Sequence, residues 1–120
     1  MKRIFFSLAL LLAVTALTAQ TNMTAREAAV KIADRILAST TYEFKNTKTG
    51  ETYKSVKKLP LDMNVKVACK YNNWHYTNGV TNMALMELGD KLADKKYEKY
   101  VLKNMNFVFN EGNLEFFRKQ

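Results

Sequence analysis

The stretch 80-VTNMALMELGDKLADKKYEKYVLKNMNFVFN-110 decides how the chain is organised. Val80, Met83, Ala84, Leu88 and Leu92 recur at helical spacing and predict a helix from about Asn78 to Ala93, weakened by Gly89 inside it. Asp94 has the short acceptor side chain of an N-cap. Behind it Tyr97, Tyr100, Val101, Met105 and Val108 form the stripe of another helix, ending near Asn110. A link of so few residues forces the two helices to pack side by side and antiparallel, as a helical hairpin.

Upstream, Thr24 and Glu27 have the spacing of a capping box, in which hydroxyl and carboxylate each satisfy an orphan backbone N–H. Ala29, Ile32, Ala33, Ile36 and Leu37 then mark the apolar stripe of a first helix from Thr24 to about Ser39. Between residues 40 and 70 the helical period is lost. Tyr42 and Phe44 alternate with polar residues, Asn46 and Gly50 lie in a turn-rich centre, and Thr52 and Tyr53 follow, so a short hairpin or ordered loop is expected. Pro60 excludes a helix through Leu59–Leu61, and 63-MNVKVACK-70 reads as a short extended piece. Gly112 and Asn113 break the pattern after the hairpin. Leu114, Phe116 and Phe117 then supply apolar side chains for which no later element offers a partner.

The N-terminus has the order of a secretory signal peptide. Met1, Lys2 and Arg3 precede an apolar run from Ile4 to Leu17 that is too short for a membrane span, and small residues follow. Cleavage is expected after Ala19, with Ala16 the alternative, which divides the chain into a leader, 1–19, and a mature domain, 20–120. The mature product is expected to be exported, to the periplasm of a bacterium, and free of the membrane once the leader is removed. Loss of Lys2 and Arg3 lowers the basic count from 19 to 17 against 11 acids, a net charge of +6. The remaining lysines alternate with Asp90, Asp94 and Glu98 and form no continuous basic face, which argues against nucleic acid as a partner. A moderate positive field suits anionic sugars instead. Cys69 is the sole cysteine, so no internal disulfide staples the domain and stability falls to its core.

Catalytic groupings are scarce. Asp90 and Asp94 lie one turn apart on a continuous helix, a spacing open to paired carboxylate chemistry, but among lysines at a helix end capping and solvation are the plainer roles. His75 and Cys69 fall short of a metal site, no third group completes a nucleophilic pair, and neither metal nor cofactor is expected. The cluster Trp74–His75–Tyr76 holds the chain's only tryptophan and only histidine. Aromatic faces pack on the C–H faces of sugar rings while indole N–H and phenol O–H reach hydroxyls. The same residues could equally staple the preceding loop onto the hairpin.

The segment 71-YNNWHYTNGVTNMALMELGDKLADKKYEKYVLKNMNFVFN-110 resembles the N-terminal part of glycoside hydrolase families 88 and 105, the unsaturated glucuronyl and rhamnogalacturonyl hydrolases. The W-x-Y-x-x-G of Trp74, Tyr76 and Gly79, the apolar helix after it and the D-x-x-Y of Asp94 and Tyr97 carry the likeness, and 25-AREAAVKIADRILAST-40 resembles the first helix of these enzymes. Ala93 departs from the glycine frequent before that aspartate. The resemblance implies a mainly α fold, an incomplete (α/α)6 toroid made of its first three helices with a long irregular or hairpin segment between helices one and two. It implies hydration, driven by an aspartic acid, of the double bond of a 4,5-unsaturated uronic acid on pectin-derived oligosaccharides, without a cofactor. It places Tyr76, and with it Trp74, in the wall of the substrate pocket. The catalytic aspartates of these enzymes belong to segments beyond the third helix that nothing in this chain matches, so no residue here receives the catalytic role. The chain is therefore expected to be an inactive N-terminal portion, with an open apolar face and Phe116 and Phe117 awaiting a further helix. The alternative is a small exported helical module that binds carbohydrate or protein without catalysis.

Overall fold

A computed structural model describes residues 23–60 and 64–119; the leader expected over 1–19 lies outside them. The element order is α1 (Ala25–Ser39), β1 (Phe44–Asn46), β2 (Thr52–Tyr53), β3 (Val65–Val67), α2 (Tyr76–Leu92), α3 (Lys95–Phe109) and α4 (Leu114–Arg118). The fold is mainly helical, as expected. Among the described residues there is a fourth helix where the sequence predicts three, and a three-stranded sheet in place of a simple hairpin.

The chain divides into two compact units after Ile32. In the first, residues 23–32, the capping box forms as expected. Thr24 N–H donates to Glu27 Oε2 at 2.8 Å and Glu27 N–H donates to Thr24 Oγ1 at 3.2 Å. These bonds hold the Glu27 carboxyl below its ordinary range. Ala29 and Ile32, expected on the buried stripe, are exposed.

In the second unit, residues 33–119, the sheet has the order β2-β1-β3 with both pairings antiparallel. Asn46 makes the turn between β1 and β2: its Oδ1 accepts from Lys48 N–H at 2.9 Å and Thr49 N–H at 3.2 Å, and Gly50 adopts φ 77°. The piece expected to be extended becomes β3, paired with β1 through Phe44↔Val67 and Asn46↔Val65. Phe44, fully buried at the sheet centre, stacks on Phe107 of α3 at 5.1 Å and meets Phe116 edge-on at 5.0 Å. Phe116 and Phe117 are thus already buried against this sheet, which overturns the expectation that they await a later helix. Asn113 holds the joint, with its Nδ2 donating to Phe107 O at 2.8 Å and its Oδ1 accepting from Val56 N–H at 3.4 Å.

The helical hairpin forms with the expected turn. Asp94 Oδ1 accepts from Lys96 N–H at 3.0 Å as the N-cap of α3. Leu92 ends α2, so Asp90 and Asp94 do not share a helix and the paired-carboxylate arrangement is absent. Ala93 adopts the left-handed conformation, φ 52° and ψ 37°. Its N–H donates to Asp90 O and that of Asp94 donates to Gly89 O at 3.0 Å, the pair of bonds that closes a helix C-terminus before a sharp turn. A second core cluster joins Ala33 of α1, Leu85 of α2 and Tyr97, Tyr100 and Val101 of α3. Tyr97 O–H donates to Asp34 Oδ1 at 2.9 Å, and Lys96 Nζ sits 2.9 Å from the same oxygen. Hydrogen bonding from Lys96 and then Tyr97 holds the Asp34 carboxyl below its ordinary range.

Candidate functional site

Of the apolar stripe of α2 expected in the core, Leu88 and Leu92 pack against it and the rest does not. The buried residues of α2 are Asn78, Asn82, Leu85 and Gly89, spaced four, three and four apart, while Val80, Met83 and Ala84 are exposed and Leu88 and Leu92 half-buried. Gly89 explains the choice. A Cβ there would sit 3.1 Å from Asp94 O and 3.3 Å from Tyr97 Cβ, so the missing side chain lets α3 approach closely at this level. The face carrying Val80 and Met83 is thereby turned outward. With Val101, Met105 and Val108 of α3 it forms an apolar groove of about 670 Å³ along the hairpin, inside the ordinary size range of small-ligand sites.

Trp74, His75 and Tyr76 stand at one end of this groove, and a polar framework holds them there. Asn72 Nδ2 donates to Thr41 O, tying the loop before the cluster to the segment after α1. Asn78 Nδ2 donates to Lys70 O at 2.8 Å and Asn73 O at 2.9 Å, tying the same loop to the first turn of α2. His75 is the N-cap of α2, with extended backbone angles and Nδ1 3.4 Å from Thr77 N and 2.9 Å from Thr77 Oγ1. This cap is why α2 begins at Tyr76, two residues ahead of the expected start.

Trp74 is 55% exposed and its ring meets Phe109 of α3 edge-on at 5.3 Å. Tyr76 is 82% exposed. The two candidate binding residues therefore come together on the groove, and neither is a buried staple. Phe109, which completes the aromatic end, went unnoticed in the sequence. It lies one residue past Val108 on the α3 stripe, and the i, i+4, i+8 series Val101, Met105, Phe109 was the available signal.

Beneath the groove lies a polar pair that the sequence did not reveal. Asn104 is 1% exposed, and its Nδ2 donates to Asn82 Oδ1 at 3.0 Å while its own Oδ1 has no protein partner. The groove lining contains no lysine, arginine, aspartate or glutamate. Among the described residues no group of three or more His, Cys, Asp or Glu side chains could hold a metal ion, and no helix is long and apolar enough to cross a membrane. Cys69 is buried, its Sγ accepting from Tyr71 N–H at 3.4 Å, and does not meet His75 in any bonded contact.

Comparison of the chain with protein-family profiles, curated proteins and solved structures finds no match.

Proposed function

We propose that the groove binds a uronyl saccharide and that the chain supplies the aromatic, non-catalytic wall of a site of the unsaturated rhamnogalacturonyl hydrolase type, in an exported protein. The observation that carries this reading is the exposed aromatic pair, Trp74 and Tyr76, set at the mouth of an uncharged groove whose far wall ends in Phe109. Such rings stack on sugar C–H faces while their polar edges reach hydroxyls. The W-x-Y-x-x-G resemblance, now with Tyr76 and Trp74 on one open surface, supports the same substrate class. The helical hairpin supports membership of the first part of a toroid. Calorimetric titration with an unsaturated rhamnogalacturonan disaccharide tests the binding role. Wild-type chain should bind, Tyr76→Ala should bind about threefold to tenfold more weakly, and the double-bond absorbance should stay constant throughout. Turnover of the double bond would show that a catalytic group had been overlooked in this chain.

One observation favours a second reading. Val80, Met83 and Met86 continue the apolar row along α2 away from the aromatic end, a surface suited to the apolar stripe of a partner helix. An amphipathic helical peptide that binds while the disaccharide does not would select it.

A further inference from the structure

We infer that His75 is a specificity-determining residue of the groove, donating a hydrogen bond from Nε2 to the carboxylate of the bound uronyl group; this rests on the saccharide reading above. The inference begins with the cap. A backbone N–H can only donate, so the bond from Thr77 N–H to His75 Nδ1 requires Nδ1 to be the unprotonated nitrogen of the neutral ring. The Thr77 hydroxyl lies 2.9 Å from the same atom. The ring's proton accordingly resides on Nε2, because the bond made by one imidazole nitrogen sets the tautomer at the other.

The ring is held by this double contact and belongs to the groove lining, between Trp74 and Tyr76. Its only remaining polar atom is Nε2–H. A carboxylate entering the groove meets no lysine or arginine among the lining residues, and no aspartate or glutamate repels it. The groove offers such a group the N–H and O–H donors of the aromatic cluster and the side-chain amides of Asn73 and Asn82, and among these His75 is the one whose ring is held by a helix cap. A donor fixed before binding loses little rotamer freedom when the ligand arrives.

The cap and the donor are separable by substitution. Asparagine is a preferred N-cap residue, so His75→Asn keeps an acceptor for Thr77 N–H and lacks Nε2–H, its own amide N–H donors ending one bond short of the position of Nε2. It should melt close to wild type and bind the unsaturated disaccharide about tenfold more weakly, the loss of one hydrogen bond to a charged group. The carboxyl-reduced disaccharide should bind wild type and His75→Asn within twofold of each other. Unchanged binding of the uronyl sugar by His75→Asn, with Tyr76→Ala weakened, overturns the role of His75 and leaves the saccharide reading standing. Equal losses for both sugars overturn the carboxylate as the acceptor. No binding of the uronyl sugar by wild type overturns both readings. The tautomer is directly observable as well, since His75 is the only histidine: long-range nitrogen–proton NMR correlations should show Nε2 protonated in the free protein, and a proton on Nδ1 would refute the starting point.

Discussion

Replacing Asn82 by leucine removes the hydrogen bond that the Asn104 side chain donates. Asn104 is 1% exposed and already carries one unpaired oxygen; in Asn82→Leu its Nδ2 is orphaned too. Leaving a buried donor without a partner costs about 1–3 kcal/mol, and burying the leucine side chain at a site only 7% exposed returns about 1 kcal/mol. The net expectation is a loss of up to about 2 kcal/mol. The double variant Asn82→Leu/Asn104→Leu removes both amides, including the oxygen that is unpaired in the native protein. Apolar replacement of both partners is nearly neutral or stabilising, and here the removal of an existing orphan adds about 1 kcal/mol in its favour. The double variant should therefore be at least as stable as wild type although one of its single changes is destabilising. Urea melts followed by circular dichroism measure all four corners of the cycle. Additive effects, with the double variant less stable than Asn82→Leu, would show that the Asn104 oxygen is satisfied in solution and that the pair contributes to stability. The predicted coupling would instead mean that this polar pair under the groove is kept at a cost to the fold, as is common beneath binding sites.

Other consequences of the geometry are as direct. Ala93 holds φ 52°, a conformation glycine adopts more readily, so Ala93→Gly should stabilise the hairpin by about 0.5–1 kcal/mol in the same melts, and a loss would refute the turn. Gly89→Ala gains about 1 kcal/mol of helix propensity but places a Cβ 3.1 Å from Asp94 O and 3.3 Å from Tyr97 Cβ. Overpacking of that kind costs about 1–3 kcal/mol, so the variant should be less stable, whereas a gain would show that α2 and α3 are not in close approach there. Burial pushes the Tyr42 phenol up to about 12. The folded state then holds its proton while the unfolded chain releases it near pH 10, so stability is intact below pH 10 and falls between pH 10 and 12. Tyr42→Phe should flatten that part of the pH–stability curve, and an unaltered slope would place the phenol in water.

Helices α1, α2 and α3, the caps at Thr24 and Asp94 and the hairpin were legible because each rests on local chemistry. Thr24, Glu27 and Asp94 satisfy orphan N–H groups within a few residues of themselves, and no distant contact is needed to read them. The buried face of α2 was not legible in the same way. Apolar periodicity favoured Val80 and Met83, but the close contact at Gly89, the bonds of Asn78 to the preceding loop and that of Asn82 to Asn104 turned another face inward. Periodicity ranks faces by hydrophobicity, while packing ranks them by shape and by where polar atoms find partners. The fate of Phe116 and Phe117 was hidden for a related reason. Their partner, Phe44, lies some seventy residues upstream in a three-residue strand whose pairing with β3 left almost no sequence signal. At the candidate site, Trp74 and Tyr76 were visible as a compositional oddity, and their exposure follows from the loop anchored by Asn72 and Asn78.

Trp74 is the only tryptophan in the chain, and it stands in the proposed binding wall, so its fluorescence reports on that wall alone. Titration with the unsaturated rhamnogalacturonan disaccharide should change its emission saturably, with a weaker apparent affinity in Tyr76→Ala. Emission that stays flat through millimolar disaccharide, in a wild-type chain shown to be folded by its melt, would contradict the claim that this groove binds a uronyl sugar.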